Sequence, residues 1–390
     1  MTPPGRTSLG ELARLFLKLG VVGFGGPAAH IAMMEDEVVR RRGWLTREDF
    51  LDFVGATNLI PGPNSTEMAI HIGRARAGMP GLLVAGACFI APAVLIVGVI
   101  AWAYARFGTL PAAAGVLYGV KPVVIAVVLQ ALWGLGRTAV KSRRLAVLGA
   151  AAVAAAALGL NELLILAGGL ALGIASWRAS YGGPPRAAAG LGLAGAARAG
   201  LGLPEAAAAG AALAPAGIGL WPLFGIFLKV GAALFGSGYV LLAFLRADLV
   251  TRLHWLTERQ LLDAVAVGQV TPGPVFTTAT FVGYVLRGVP GAAVATLGIF
   301  LPAFVFVGLS SALLPRLRRS SAARAALDGV NVASLALMAV VTWQLAGAAL
   351  VDAWTVILAA AAVLLLVWRV NSSWLVLGGG LAGLVLRSLA

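Results

Sequence analysis

Asn58-Leu-Ile-Pro61-Gly62-Pro63 and Gln269-Val-Thr-Pro272-Gly273-Pro274 lie 211 residues apart and carry the same helix break. Because proline lacks an N–H group and restricts the residue before it, one helix ends at each break and another begins. The segments beside the first break, residues 46–60 and 64–76, are only about 20 Å long at 1.5 Å per residue, against a hydrocarbon core of about 30 Å. We therefore predict that each break is the tip of a re-entrant helical hairpin.

The break belongs to a longer internal repeat. Phe16-Leu-Lys-Leu-Gly20 returns as Phe227-Leu-Lys-Val-Gly231, and Trp44-Leu-Thr46 returns as Trp255-Leu-Thr257. From residue 16 to residue 77, 20 of 62 positions are identical at this offset. The sequence therefore predicts two homologous domains, residues 1–179 and 220–390, joined by residues 180–219, a linker rich in glycine, alanine and proline.

The composition indicates an integral membrane protein. Hydrophobic residues occupy 60% of the 390 positions, charged residues occupy 11%, and the mean hydropathy is +0.94, whereas roughly a quarter of the residues are charged in a typical soluble domain. Residues 77–105 and several other uncharged runs are long enough for a helix to cross a bilayer. The net charge of +14 is attributed to cytoplasmic loops, not to nucleic acid binding.

We predict an all-α polytopic membrane protein of two inverted-topology repeats, with about ten transmembrane helices plus two re-entrant Pro-Gly-Pro helical hairpins. In the first repeat the crossing helices are expected near residues 11–35, 80–104, 113–136, 144–159 and 161–177. Five crossings are an odd number, so the second repeat should be inverted. With the N-terminus outside, 18 basic residues lie on the inner face and eight on the outer face, as the positive-inside rule requires.

Inverted repeats with broken helices at matching places are typical of secondary transporters, which bind their substrate at the midplane. The N–H groups that begin the helix after each break lack intrahelical partners and attract an anion. We therefore predict a site for a tetrahedral oxyanion at the breaks Pro61, Gly62, Pro63, Pro272, Gly273 and Pro274. The predicted substrate-binding residues are Lys18, Lys229, Asn58, Asn64, Ser65, Thr66, Gln269, Thr277 and Thr278.

The two lysines of this set occupy the same position in each copy. A lysine near the middle of a membrane helix is costly and usually functional, so Lys18 and Lys229 are predicted to bind the anion. The alternative is that their side chains extend to the membrane interface. Lys121, which precedes Pro122 and has Asn331 as its counterpart, is a further candidate.

Four groups are candidates for proton coupling. Glu67 and His71 are four residues apart and share one helix face. A carboxylate beside a bound anion favours its protonated form, which would link the two fluxes. Asp52 and Asp263 match across the copies, with structural pairing to nearby arginines as the alternative. Neither a metal site nor a cofactor is predicted.

Taken in order, these motifs resemble the chromate ion transporter family in its long-chain, two-domain form. The resemblance rests on residues 16–20, on Gly23-Phe-Gly-Gly-Pro27 with His30, on residues 44–46 and on residues 58–63, together with their second copies. It covers almost the whole chain except the linker. It implies efflux of chromate across the cell membrane of a bacterium or similar organism, driven by the proton motive force.

The second copy departs from the first at two of these places. Ser237-Gly238 stands in place of Gly26-Pro27, and Thr278 stands in place of Glu67. A role for Pro27 or Glu67 therefore cannot be symmetric between the copies.

Alternatives stay open at this point. Sulfate has the same charge as chromate and nearly the same shape, so sulfate or another oxyanion could be the natural substrate, and an uncoupled anion channel could use the same helices. An enzyme is disfavoured, since His-Glu-x-x-His and a three-histidine metal set are both missing from the sequence. We expect a multi-pass protein of the cell membrane whose partners are an oxyanion, protons and lipid, without nucleic acid, and a homo-oligomer is an open alternative.

Overall fold

The computed structural model of the chain describes residues 7–24, 26–108, 110–181, 218–235, 238–368 and 370–389, and within these ranges the fold is all-helical. Most of the predicted linker, residues 180–219, and Ser237 of the departing motif lie outside the described residues.

The two halves have helices of similar length in the same order. In the first half these are α1 (Leu9–Val22), α2 (Gly26–Glu35), which continues as a π-helical turn (Asp36–Arg41), α3 (Arg47–Thr57), α4 (Asn64–Phe107), α5 (Pro111–Ala139), α6 (Arg143–Ala157) and α7 (Glu162–Tyr181). In the second half they are α8 (Leu220–Ala233), α9 (Leu241–Leu245) with a π-helical turn (Arg246–Arg252), α10 (Glu258–Val270), α11 (Thr278–Arg319), α12 (Ser321–Ala349), α13 (Ala353–Val367) and α14 (Ser372–Leu389).

The single helix predicted near residues 11–35 is wrong. The chain turns back between α1 and α2, at Gly26, whose φ of +79° is open to glycine at little cost. Lys18 Nζ lies 2.7 Å from Glu37 Oε1, and Arg42 Nη1 lies 3.0 Å from Glu11 Oε1. Residues equally far from the turn meet in this way only when the two arms are antiparallel. Residues 9–41 therefore form an antiparallel helical hairpin, which we call hairpin Ia.

The position of the N-terminal residues follows from this hairpin. Glu11 lies beside Arg42, and the Thr7 hydroxyl accepts a 2.8 Å hydrogen bond from Arg76 Nε. These contacts put residues 7–11 on the same face as residue 42. The predicted placement of the N-terminus on the opposite face from residues 40–42 is therefore wrong, and the predicted count of five crossings does not hold for residues 9–41.

The hairpin predicted around the first Pro-Gly-Pro break has the expected antiparallel arms. The rings of Phe53 and His71 stack with their centroids 5.4 Å apart, and Asn64 Nδ2 donates a 3.0 Å hydrogen bond to Asn58 Oδ1 beside the turn. We call residues 47–76 hairpin Ib. The corresponding segments of the second half are hairpin IIa (residues 220–252), closed by an ion pair between Lys229 and Asp248, and hairpin IIb (residues 258–286).

Helix α4 has 44 residues, and the chain reverses its direction within it. Gly78 has φ +65° and ψ −148°, and Gly73 packs directly against the backbone of Gly81 beyond it. Residues 79–107 therefore run back from the base of hairpin Ib as a separate crossing arm. Helix α11 reverses in the same way at Gly288, with φ +61° and ψ −149°.

Long apolar helices surround the four hairpins. By length and composition, five helical spans in the described part of the chain are apolar enough to cross a membrane, namely residues 64–107, 113–139, 162–179, 275–309 and 321–349. The chain is thus a multi-pass membrane protein. Helix α7 packs on α12 where Gly169 meets Gly329, and α14 packs on α5 where Gly379 meets Gly119, because glycine allows two helix backbones to touch.

The crossing arms of the two halves are antiparallel to each other. Gly86 lies against Phe304, whereas Trp102, farther along the first arm, lines a shared groove with Val289, which is earlier in the second arm. Two equivalent helices that run in opposite directions are related by a two-fold axis perpendicular to the helices, not by one parallel to them. This geometry is the one that an inverted repeat requires.

Candidate functional site

The tips of the four hairpins meet at the boundary between the halves. The Gly62 N–H group of hairpin Ib donates a 2.8 Å hydrogen bond to the Leu234 carbonyl of hairpin IIa. The Gly273 N–H group of hairpin IIb donates a 2.7 Å hydrogen bond to the Gly23 carbonyl of hairpin Ia. Each predicted helix break is therefore bound to a hairpin of the other half.

Glycine is required at these tips for two reasons. Gly62 and Gly273 have φ values of +143° and +90°, which strain any residue with a side chain. A Cβ atom at Gly62 would collide with the Glu67 carboxyl group, and a Cβ atom at Gly273 would lie 2.7 Å from the Ala93 side chain. Each tip is thus closely packed against its neighbours.

The predicted substrate-binding residues of the first break lie at the start of the inner arm of α4. Ser65 and Thr66 are buried, and the Thr66 hydroxyl has no hydrogen-bond partner among the described residues. Pro63 precedes the helix without a side-chain cap, so the first N–H groups of the arm keep their capacity to bind an anion. Asn58 and Asn64 are hydrogen-bonded to each other.

The second break differs in how its polar groups are used. The hydroxyl groups of Thr277 and Thr278 donate 2.8 Å hydrogen bonds to the carbonyls of Pro274 and Val275. Gln269 is buried, and within the described part of the chain its Nε2 atom has no hydrogen-bond partner. Thr66 and Gln269, one from each half, are therefore the predicted side chains whose buried donor atoms have no partner among the described residues.

The two predicted lysines are bound to carboxylates. Lys18 pairs with Glu37, and Lys229 pairs with Asp248 and, at 3.3 Å, with Glu162. The hydrogen bond from Lys18 holds the pKa of Glu37 below its usual range. The role of Lys18 and Lys229 as anion ligands stays a prediction. In the structure, each lysine lies beside an acidic residue in the returning arm of its hairpin, Ia or IIa.

Sequence reasoning missed these partners. Glu37 is buried, although it lies in a stretch of charged residues. The available signal was the repeat itself, because Glu37 and Asp248 are separated by the same 211 residues as the lysines.

The proton-coupling candidate Glu67 is fully buried beneath the tip of hairpin Ib. Its exposed fraction is 0%, and neither of its carboxyl oxygens has a hydrogen-bond partner in the described structure. A charged carboxylate in such a place is costly unless it is neutralised. His71 lies one helical turn farther along the same arm, as predicted, and stacks on Phe53.

The matched aspartates have different environments. Asp263 is buried, its Oδ1 atom lies 3.0 Å from Lys121 Nζ, and its Oδ2 atom accepts a 2.9 Å hydrogen bond from the Tyr104 hydroxyl. Its counterpart Asp52 is exposed on α3. Asp263 thus pairs with Lys121 of the first half, and Lys121 has a carboxylate partner at membrane depth.

Acidic, histidine and cysteine side chains do not gather into a cluster that could hold a metal ion in the described part of the chain. The polar groups at the tips are hydroxyl, amide and backbone N–H donors together with one carboxyl group, and this set suits an oxyanion.

The chain is similar in sequence to one protein family and to several individual proteins. A family model described as Chromate transporter matches residues 10–174 and 221–384. The chromate transport proteins of Cupriavidus metallidurans and Pseudomonas aeruginosa are each 34% identical to the chain, over 97% of this chain and 93% of their own length. A probable chromate transport protein of Synechococcus elongatus is 29% identical over 85% of this chain and 83% of its own length. No solved structure matches the chain.

Proposed function

The chain belongs to the chromate transporter family, and on this basis we propose that it is a secondary active transporter that exports chromate across the cell membrane, with the proton motive force as its energy source. The observation that carries the proposal is the pair of hydrogen bonds from Gly62 to Leu234 and from Gly273 to Gly23. Secondary transporters bind substrate where broken helices of two repeats meet, and these bonds join four such tips.

In the proposed topology, hairpins Ia and Ib enter from the face that carries Arg42, and hairpins IIa and IIb enter from the opposite face. The antiparallel crossing arms support this inversion independently of the predicted number of crossings. Moving Arg14 to the face of Arg42 changes the predicted distribution of basic residues from 18 against eight to 19 against seven. The positive-inside rule then makes that face cytoplasmic.

The proposed anion site consists of neutral donors. They are the N–H groups at the start of the inner α4 arm, the Thr66 hydroxyl and the Gln269 amide. These donors come from both halves of the protein and are of the kind that suits the oxygens of a tetrahedral dianion. Because the nearby lysines are already paired with carboxylates, the donors bind the anion without a strong fixed counter-charge, which favours release after transport.

The membrane potential supplies the main driving force. A dianion that leaves a cell with a negative interior gains about 2.3 kcal/mol per charge per 100 mV, which is about 4.6 kcal/mol for chromate alone and about 2.3 kcal/mol when one proton leaves with it. Export therefore needs no ATP.

Glu67 links proton binding to anion binding. Its buried carboxyl group lies against Gly62 at the tip, so a negative charge on Glu67 and a bound dianion would repel each other. Protonation of Glu67 therefore favours anion binding, and by linkage anion binding favours protonation to the same extent.

The test is chromate uptake into inside-out vesicles, which corresponds to export from the cell. Uptake should be driven by an imposed potential, positive in the vesicle lumen, in the absence of ATP. A channel for a dianion would also respond to the potential, so a pH gradient is imposed separately at zero potential. Chromate uptake that this pH gradient cannot drive uphill would indicate an uncoupled anion channel.

A parallel experiment addresses sulfate, which presents the same charge to the same donors. Excess sulfate that abolishes chromate uptake would identify a general oxyanion transporter. A modest reduction, together with loss of chromate tolerance in a deletion strain, would support chromate as the substrate.

A further inference from the structure

The two hairpin pairs have different surroundings. Buried apolar residues of hairpins Ia and Ib, including Leu12, Phe16 and Phe50, form a core of their own with Ala85 and Phe89. Those of hairpins IIa and IIb, in contrast, belong to one large core that also includes α5 and α12. The second hairpin pair is thus packed into the surrounding crossing helices, whereas the first pair is packed mainly against itself.

The difference is largest between the equivalent arms α3 and α10. Helix α3 packs against α2 and α4, both of its own half, and Leu51 in its middle is 55% exposed. Helix α10 packs against α11, α12 and α14 of its own half and also against α5 of the first half. Its central residues, 261–266, are all buried.

The ion pair of Lys121 and Asp263 belongs to this contact between α10 and α5. By the repeat, Asp263 corresponds to Asp52, Lys121 corresponds to Asn331, and α5 corresponds to α12. The contact that would correspond to the pair in the other half is therefore one between Asp52 on α3 and Asn331 on α12.

We propose that the protein has a second end state in which the two hairpin pairs exchange environments. In that state α3 packs against α12, with Asp52 beside Asn331, and α10 is exposed. This inference rests on the inverted arrangement of the halves proposed above.

The physical argument is that two homologous units of the same fold can each adopt the packing of the other. In an inverted pair, such an exchange gives a second conformation related to the first by the axis between the halves. Each hairpin pair enters from its own face, so the exchange opens one face and closes the other. The tip hydrogen bonds to Leu234 and Gly23 lie near that axis and act as the pivot.

The two states are not equal in energy, because the ion pair exists in only one of them. Lys121 and Asp263 attract each other in the described state, whereas Asp52 and Asn331 can form only a hydrogen bond. Loss of the Lys121 charge therefore favours the second state.

The experiment uses paired cysteines in the full-length protein in membrane vesicles, with Cys88→Ser as the background. One variant carries Lys121→Cys and Asp263→Cys, and the other carries Asp52→Cys and Asn331→Cys. A short bifunctional thiol reagent joins each pair, because long side chains in contact can have Cα atoms too far apart for a disulfide. Linked peptides are then quantified by mass spectrometry.

We expect both pairs to be linked. Adding Lys121→Asn to the second variant should raise the yield of linked residues 52 and 331 several-fold. Efficient linking of residues 121 and 263 without linking of residues 52 and 331, even with Lys121→Asn, would overturn the proposal.

A matched control tests specificity. Asp52→Cys is combined with Thr342→Cys, which lies on α12 about 16 Å from residue 331 at 1.5 Å per residue. Equal yields for this pair and for the pair of residues 52 and 331 would also overturn the proposal. Chromate uptake is measured in the same vesicles without reagent, so failure of the proposed transport function is detected separately from failure of the exchange.

Discussion

Gly62 donates its backbone N–H group to the carbonyl oxygen of Leu234 at 2.8 Å, across the boundary between the two halves. The equivalent atoms in the other direction, Gly273 N and Gly23 O, are 2.7 Å apart. The unpaired backbone groups of a helix break are costly in a membrane unless they find hydrogen-bond partners. Here each break forms a hydrogen bond with the other half of the protein. The tips are therefore held in position by hydrogen bonds between backbone groups of the two halves.

Gly62→Ala should lower the initial rate of chromate uptake about fivefold or more. A side chain at this position meets an unfavourable φ and the Glu67 carboxyl group, and strain of about 1–3 kcal/mol at a functional site corresponds to roughly 5-fold to 150-fold. The matched control is Gly98→Ala, at a helical glycine with open space around it. Rates are normalised to the amount of inserted protein, and equal rates for the two variants would contradict the role of the tip.

Thr66→Val and Gln269→Leu should each raise the KM for chromate by about tenfold or more, because a hydrogen bond to a charged group contributes about 1.5–3 kcal/mol. The control is Thr342→Val, since the Thr342 hydroxyl is buried and already donates to the Met338 carbonyl at 2.6 Å. A KM that is unchanged in both tip variants would remove these residues from the anion site.

Glu67→Gln should abolish the dependence of uptake on pH. In the wild type, a lower pH on the outer surface of inside-out vesicles should accelerate uptake, because proton and anion binding at the tip favour each other. The amide keeps the shape of the side chain but cannot release a proton. Asp328→Asn, at an exposed surface ion pair with Lys141, should keep the wild-type pH profile. A variant at Glu67 that retains the full profile would contradict the coupling.

Lys121→Ala should lower thermal stability in detergent strongly, since removal of one partner from a buried ion pair costs about 3–5 kcal/mol. The double variant Lys121→Met with Asp263→Asn should recover most of this loss, because it leaves no unpaired charge. The comparison is Lys141→Ala, whose exposed pair with Asp328 contributes about 0–1 kcal/mol. Equal melting temperatures for the two alanine variants would show that the buried pair is not formed.

The N-terminus should lie on the cytoplasmic face. Single cysteines at Ser8 and Gly43, in a Cys88→Ser background, should both react with a membrane-impermeant thiol reagent in inside-out vesicles. A cysteine at Gly108, at the far end of the crossing arm, should react only in right-side-out preparations. Reaction of residues 8 and 43 from opposite faces would contradict hairpin Ia.

The sequence was sufficient to locate the Pro-Gly-Pro tips, because proline and glycine determine the backbone conformation locally and the motif occurs twice in the chain. The capping box from Thr257 to Gln260 that begins α10 also follows from neighbouring residues, and it is present in the structure. These features depend on contacts within a few positions of one another, which is why a linear pattern reveals them.

Hairpin Ia could not be recognised in the same way. Residues 11–35 are apolar enough to suggest one helix, and the turn depends on the backbone conformation at Gly26. The decisive contacts join Glu11 to Arg42 and Lys18 to Glu37, and such pairs become meaningful only once the turn is known. The pairing of Lys121 with Asp263 joins residues from different halves, and nothing in the local pattern of either one indicates it.

Thr278 stands where the first half has Glu67, so the described tips hold one carboxyl group between them. If that group carries the coupled proton, each exported dianion takes at most one proton with it by this route. The net transfer per cycle is then a single negative charge, and a gradient of pH alone, acidic outside, slows export instead of assisting it. The electrical and chemical components of the proton motive force would thus act in opposite directions on this protein.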